Sequence, residues 1–89
     1  MVAMTTPMTF GVGKPRNPQG RIRDTEDLGQ AIRHRRKKLG LTQVQLAETC
    51  QCSPRFIGEL ERGVAGGNIK QVLYVCQSLG LDLYAKERG

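Results

Sequence analysis

Apolar residues along the 89-residue chain recur at helical spacing in four separate stretches, each with its own start and stop signals. In the first, Leu28, Ile32 and Leu39 make the predicted buried stripe. Asp24 or Thr25 caps this helix, Glu26 and Asp27 complement its positive end, Lys37 and Lys38 its negative end, and Gly40 stops it. Thr42 with Gln45 three positions on forms a capping box, in which side chain and backbone satisfy each other's orphan donors, and predicts a second helix from Gln43 to Cys50. Ser53 followed by Pro54 opens a third, running to Arg62, because Ser accepts from the free amides and Pro arrives with φ already set. After Val64-Ala65-Gly66-Gly67, Asn68 caps a fourth helix with Ile69, Val72, Leu73, Cys76 and Leu79 as its stripe and Gly80 as its stop. The pattern then changes. Leu81-Asp82-Leu83-Tyr84-Ala85 alternates as a strand does, and a lone strand has nowhere to place its backbone hydrogen bonds. Its simplest partner is the same segment of a second copy across a two-fold axis, which makes Leu81, Leu83 and Tyr84 candidate dimerisation residues; the competing reading is a frayed tail.

Only Cys50, Gln51 and Cys52 separate the second and third helices, and this spacing is that of a helix-turn-helix. The packing predicts Leu46, Ala47, Cys50, Cys52, Ile57 and Leu60 as buried, with Ala47 small enough for two helices to cross closely. An ordinary αα-hairpin in a small bundle has the same pattern, so helical spacing alone does not specify function. If the pair does dock on DNA, the amino-terminal residues of its second helix face the major groove. Ser53, Pro54, Arg55 and Glu59 are then the base-facing candidates. Arg55 is the foremost, since a bidentate donor to guanine is the commonest specific contact, worth ~1–3 kcal/mol of discrimination; its alternative is a phosphate contact. Pro54 meets a thymine methyl or only fixes the helix start, and Glu59 either accepts from cytosine or holds Arg55 or Arg62.

Charge modifies this picture. The net charge of +6 favours a polyanionic partner, but residues 41–63 carry two Lys/Arg against three acids. The cations lie instead in residues 1–23, with Lys14, Arg16, Arg21 and Arg23, and in the run Arg33-His34-Arg35-Arg36-Lys37-Lys38, whose bland reading is a solvated helix face. Residues 1–23 hold Pro7, Pro15 and Pro18 with little apolar periodicity and are expected to form a flexible arm that tracks DNA, a plain tail, or a short Met8 to Val12 strand against the C-terminal segment. The domain is expected over residues 24–80, with 81–89 as the strand and tail. Phe10, Phe56, Tyr74 and Tyr84 are too few rings for a surface that stacks unpaired bases.

Other chemistries lack their signatures. Cys50, Cys52 and Cys76 are odd in number and lack zinc spacing, which suggests reduced, small apolar side chains and no metal. There is one His, no recognisable nucleophile-base pair, and the glycines from Gly63 to Gly67 lack the Lys-Ser/Thr of a phosphate-cradling loop, so neither enzyme nor cofactor is expected. No apolar run spans a membrane and Met1 to Thr9 lacks a signal-peptide pattern, so a cytoplasmic, nucleoid-associated location is expected.

The run Gly40-Leu41-Thr42-Gln43-Val44-Gln45-Leu46-Ala47 and the later Phe56-Ile57-Gly58-Glu59-Leu60-Glu61-Arg62-Gly63 resemble the XRE/Cro-type helix-turn-helix family, which includes the lambdoid phage repressors. The likeness spans about Leu28 to Leu83, and the ending Gln77-Ser78-Leu79-Gly80-Leu81-Asp82-Leu83 is most similar to the HipB-like antitoxins. It implies an all-α, lambda-repressor-like bundle of four short helices, here followed by the C-terminal strand that helps build the dimer in those antitoxins. By the same resemblance Arg36 and Glu61 match an internal ion pair, and Gln43 a phosphate contact that also steadies a polar residue where this chain has Pro54. Thr42, Arg33, Arg62, Asn68 and Lys70 complete the expected phosphate contacts, Asn68 adding the amides of a helix start.

Two positions depart from the family. Gln51 stands where Gly often adopts a left-handed conformation, and Gly58 lies inside the recognition helix, where it permits close approach to DNA or fits a crowded spot. The expected function is a homodimeric repressor of a palindromic operator on double-stranded DNA, as the antitoxin of a HipBA-like operon that autoregulates the operon and binds a HipA-like kinase toxin. The alternatives are a stand-alone XRE-type regulator, or a protein-interaction module that uses the fold only as scaffold.

Overall fold

The computed structural model describes residues 20–64 and 67–89. The expectations for the arm at residues 1–19, including a Met8 to Val12 strand, and for Ala65 and Gly66 lie outside the described residues. Four helices follow in order: α1, Thr25–Lys38; α2, Gln43–Cys50; α3, Pro54–Glu61; and α4, Ile69–Ser78. Each begins on a side chain that satisfies an exposed amide. Asp24 accepts from the Asp27 amide, Thr42 from Gln45, Ser53 from Phe56 and Asn68 from Lys70. The Gln45 side-chain oxygen also accepts from the Thr42 amide at 2.8 Å, which closes the capping box.

The helix ends share one device. After each, a left-handed residue turns the chain so that the next amide reaches back to the last turn: Leu41 to the Arg36 carbonyl, Cys52 to Ala47, Val64 to Glu59 and Leu81 to Cys76, at 2.9–3.1 Å. Gly40, Gly63 and Gly80 supply the positive φ in three of these turns. Gln51 supplies it in the fourth with φ 58 and ψ 43, so the geometry usually left to glycine persists in the helix-turn-helix.

Packing of α2 on both α3 and α4, and of α1 on α3, encloses one core of Ile32, Leu46, Ala47, Ile57, Val75 and Leu79 with their neighbours. The crossing of α1 over α3 is close enough that a Cβ on Gly29 would lie 2.4 Å from the Glu61 carbonyl oxygen and 2.5 Å from that of Leu60. Cys50 is buried and Cys52 half-buried against the core, as the turn's brevity requires.

Three expected core positions are corrected. Leu39 is exposed: it is the C-cap of α1, still in helical conformation with its amide on the Arg35 carbonyl, at an end of the helix that the core does not cover. On α4, Ile69 is 68% exposed and Leu73 is also exposed. The buried stripe is Val72, Val75, Cys76 and Leu79, the set that joins the core where α4 packs on α2, so the periodicity was right and its phase was rotated toward Val75.

The C-terminal strand does not form in this single chain. Residues 81–89 hold no regular element, Leu81 is half-buried against the core, and its amide is committed to the Cys76 carbonyl at 2.9 Å, which removes it from any strand ladder. Leu83 and Tyr84 are exposed. An extended segment without a partner has no ladder to join.

Candidate nucleic-acid interface

Within α3, the side that faces the core carries Ile57, Leu60 and Glu61, all buried. The opposite side is set by helical spacing. Arg55, Gly58, Glu59 and Arg62 lie at i, i+3, i+4 and i+7, one row along the outward face. Arg55 heads the row with its side chain 87% exposed, and its Nε donates to a Glu59 carboxylate oxygen at 3.1 Å. Ser53 caps this helix and Pro54 takes its first turn, both exposed. The amino-terminal end of α3 is thus presented to solvent with a cation, a carboxylate and a bare proline ring.

What holds α3 in place is a buried carboxylate shared by three elements. Glu61 accepts from Arg36 Nε at 2.6 Å and Nη2 at 3.0 Å, a bidentate pair whose side chains are 8% and 2% exposed for Arg36 and Glu61. Gln43 Nε2 donates to the same carboxylate at 3.1 Å, and Arg36 Nη1 donates to the Leu41 carbonyl at 2.8 Å. One cluster therefore ties α1, the α1–α2 loop, the start of α2 and the end of α3. Gln43 steadies Glu61 here; Pro54 offers no polar partner for it.

The residues expected on phosphate fall in four places. Gln43 and Arg62 come together: the place a Cβ would occupy on Gly58 lies 3.5 Å from Arg62 Nη1 and 3.7 Å from Gln43 Oε1. Thr42, at the tip of α2, is exposed with its hydroxyl accepting from Gln45. Asn68 and Lys70 are exposed at the start of α4, where the Asn68 side chain accepts from the Lys70 amide at 2.8 Å. Arg33 stands apart on the outer face of α1.

Sequence reading did not foresee three tertiary features. Asp27 is buried and accepts from both the amide and Nε of Arg23, at 2.9 and 3.0 Å, which anchors the chain just before α1. Arg35, within the basic run, donates from Nε to the Leu79 carbonyl at 2.7 Å and so closes the end of α4. Thr25 donates its hydroxyl to the Gly63 carbonyl at 2.8 Å, joining the start of α1 to the end of α3. The Arg23–Asp27 pair lies at a four-residue spacing readable in the sequence, whereas the spacing of charged residues carries no signal for the other two, because their partners lie on other elements.

Burial pushes the Cys52 thiol above its ordinary range, with the neighbouring Cys50 adding to the effect, and burial alone does the same for Cys76. Both therefore stay protonated, the poor state for metal ligation or nucleophilic attack. Among the described residues no group of three or more candidate metal-ligating side chains is found, and no helix is long and apolar enough to cross a membrane.

Two short capped helices, a three-residue turn and an outward row of polar residues on the second helix define a helix-turn-helix DNA-binding domain. The family model described as "Helix-turn-helix domain" matches residues 27–87, and the chain belongs to this family, in its XRE/Cro-type branch. The uncharacterized HTH-type transcriptional regulator y4mF of Sinorhizobium fredii is 38% identical over 63 residues, covering 71% of this chain and 83% of that protein. Among solved structures, the clp gene regulator ClgR of Corynebacterium glutamicum superposes with a TM-score of 0.61 at 37% identity, covering 66% of this chain and 76% of its own. A chain of the HipA-HipB-O2-O3 complex superposes with a TM-score of 0.70 at 21% identity, over 79% of this chain and 99% of its own, a likeness of fold. The chain is an XRE-type helix-turn-helix transcriptional regulator that binds double-stranded DNA.

Proposed function

We propose that the chain is a homodimeric, sequence-specific repressor that reads each half of a palindromic operator with the amino-terminal end of α3, and that it is the antitoxin of a HipBA-like operon. The observation that carries the reading is the row on the outer face of α3. Arg55 projects into solvent at the end of a helix whose other side is locked by the Arg36–Glu61–Gln43 cluster, so an exposed guanidinium, steadied at Nε by Glu59, stands on a rigid support. In this reading Arg55 takes a guanine edge, Ser53, Pro54 and Glu59 contact neighbouring bases, and Thr42, Gln43, Arg62, Asn68 and Lys70 hold phosphates, with Arg33 adding long-range attraction. Two copies place their α3 helices about 34–36 Å apart, one turn of duplex. The exposed Leu83 and Tyr84 are the proposed seam between copies, where pairing with a second copy supplies the ladder that a single chain lacks, and Leu81, its amide already taken by Cys76, adds only its side chain.

Duplexes selected from a random pool are the test. Binding that prefers one palindrome and weakens steeply with salt is expected, and Arg55→Ala costs ~1–3 kcal/mol and relaxes the preference at one position in each half-site. Equal affinity for every duplex would remove the reading, and a purely monomeric species on sedimentation would remove the dimer.

The likeness to a chain of the HipA-HipB-O2-O3 complex supports an antitoxin that also binds a kinase toxin and represses its own operon. The higher identity to the clp gene regulator ClgR favours a second reading, a stand-alone regulator with no toxin partner. The neighbouring reading frame separates them: a kinase that forms a stable complex with this chain supports the first, and a chain encoded with no such kinase supports the second.

A further inference from the structure

Two neighbouring residues of α1 tie the reading helix and the end of α4 to the same turn. Arg36 holds Glu61 at the end of α3, and Arg35, just before it, donates from Nε to the Leu79 carbonyl at 2.7 Å. Packing joins α1 to α3, α3 to α2 and α2 to α4, so the Arg35 bond closes the ring from α4 back to α1. The charge of Arg35 is placed as well as its donor. α4 has no basic residue in its own last turn, and the negative end of a helix favours a cation, so Arg35 supplies from α1 what α4 lacks.

The chain that follows is fixed at the same junction. Nη2 of Arg35 lies 3.3 Å from where a Cβ on Gly80 would stand, and Gly80, at φ 74, turns the chain beside it. Leu81 then packs half-buried on the core, with its amide on the Cys76 carbonyl at 2.9 Å. Beyond it Leu83 and Tyr84 are exposed, so the direction in which residues 82–85 leave the domain is decided where Arg35 meets Leu79 and Gly80. A small change there is magnified at DNA. With each α3 about 17 Å from a two-fold axis, half of one duplex turn, a swing of about 12° at the seam carries α3 by about 3.5 Å, the rise of one base pair.

We propose that Arg35 is a positioning residue for operator reading: by clamping the end of α4 to the turn of α1 that holds α3, it fixes the angle between seam and reading helix and so sets the half-site spacing that a pair of chains accepts. The inference rests on the dimeric operator reading proposed above and adds to it the source of the spacing.

Duplexes with the selected half-sites at the preferred separation, and at one and two base pairs more or less, are titrated with the intact chain, Arg35→Gln and Arg35→Met, beside a duplex with a single half-site. Gln carries an N–H donor on Cδ where Arg carries Nε, so Arg35→Gln keeps the bond to Leu79 and loses the charge, whereas Arg35→Met keeps the stem and loses both. The intact chain and Arg35→Gln are expected to prefer one separation by about tenfold over its neighbours. Arg35→Met is expected to bind neighbouring separations within about twofold of one another, with single half-site affinity within about twofold of the intact chain. A profile in Arg35→Met as narrow as that of the intact chain overturns the proposal. Equal broadening in Arg35→Gln and Arg35→Met does so too, because it assigns the effect to charge. An Arg35→Met chain that is unfolded by circular dichroism, or that loses single half-site affinity in step, also overturns it, because the bond then serves the fold alone. An intact chain that prefers no duplex, or that sediments only as a monomer, overturns the operator reading itself, and with it any role of Arg35 in spacing.

Discussion

Replacing Glu61 tests the part of the structure on which the interface depends. Its carboxylate accepts three hydrogen bonds, two from Arg36 and one from Gln43, inside a site where the two charged side chains are 8% and 2% exposed. Removing one member of a buried pair leaves the other desolvated without its countercharge, at a cost of about 3–5 kcal/mol. In Glu61→Leu the Arg36 guanidinium retains only the Leu41 carbonyl at 2.8 Å. For a small domain with roughly 5–10 kcal/mol of total stability, that loss is half or more of it. Gln43→Ala removes a single neutral-to-charged hydrogen bond at the half-buried edge of the cluster and costs about 1 kcal/mol. The decisive comparison is Arg36→Met/Glu61→Leu, which leaves no unpaired charge and restores most of what either single change removes, as apolar replacements of buried pairs do. Urea unfolding followed by far-ultraviolet circular dichroism reads these three variants and the single Arg36→Met. If Glu61→Leu lowers stability by less than about 1 kcal/mol, or if the double variant is as unstable as the sum of its parts, the cluster is not what holds α1, α2 and α3 together.

Three further outcomes follow from particular contacts. Gly29→Ala forces a methyl against the Leu60 and Glu61 carbonyls and is expected to lower stability by ~2 kcal/mol or more, seen as a reduced melting temperature despite alanine's better helix propensity. Gln51→Gly relieves a left-handed side-chain-bearing residue at φ 58 and raises stability by up to ~1 kcal/mol in the same melt. Cys52 and Cys76, whose thiols burial raises, react more slowly with an alkylating reagent in the folded chain than in urea. Because the unfolded chain releases these protons first, their contribution to stability is present below the ordinary thiol range and is lost as pH climbs through the raised values, so unfolding free energy declines on the alkaline side.

Much of this molecule was legible because its signals are short. A cap reaches two or three residues forward, a stop reaches five back, and Thr42–Gln45, Ser53–Pro54, Asn68, Gly40 and Gly80 each complete their hydrogen bonds inside such a window. Helix order, helix limits to within one residue and the helix-turn-helix itself therefore stood in the chain before any packing was considered. The likeness in the motif at residues 40–47 and 56–63 carried the family for the same reason.

Tertiary structure decided what local pattern leaves degenerate. Helical periodicity admits several phases, and only the packing of α4 onto α2 and the core selects Val75 over Ile69 and Leu73. The Arg33 to Lys38 run looks uniform in sequence, yet Arg36 is buried against Glu61, Arg35 closes α4 and Arg33 is left to solvent, because each points to a different neighbour around one helix. Leu81 reads as strand in an alternating segment until its amide is taken by Cys76. Gly58 is a weak point of a helix by composition, and only the fold brings the far ends of Arg62 and Gln43 beside it. Contacts within a few residues are set by the order of the chain; contacts between helices are set by how four short cylinders close around one small core.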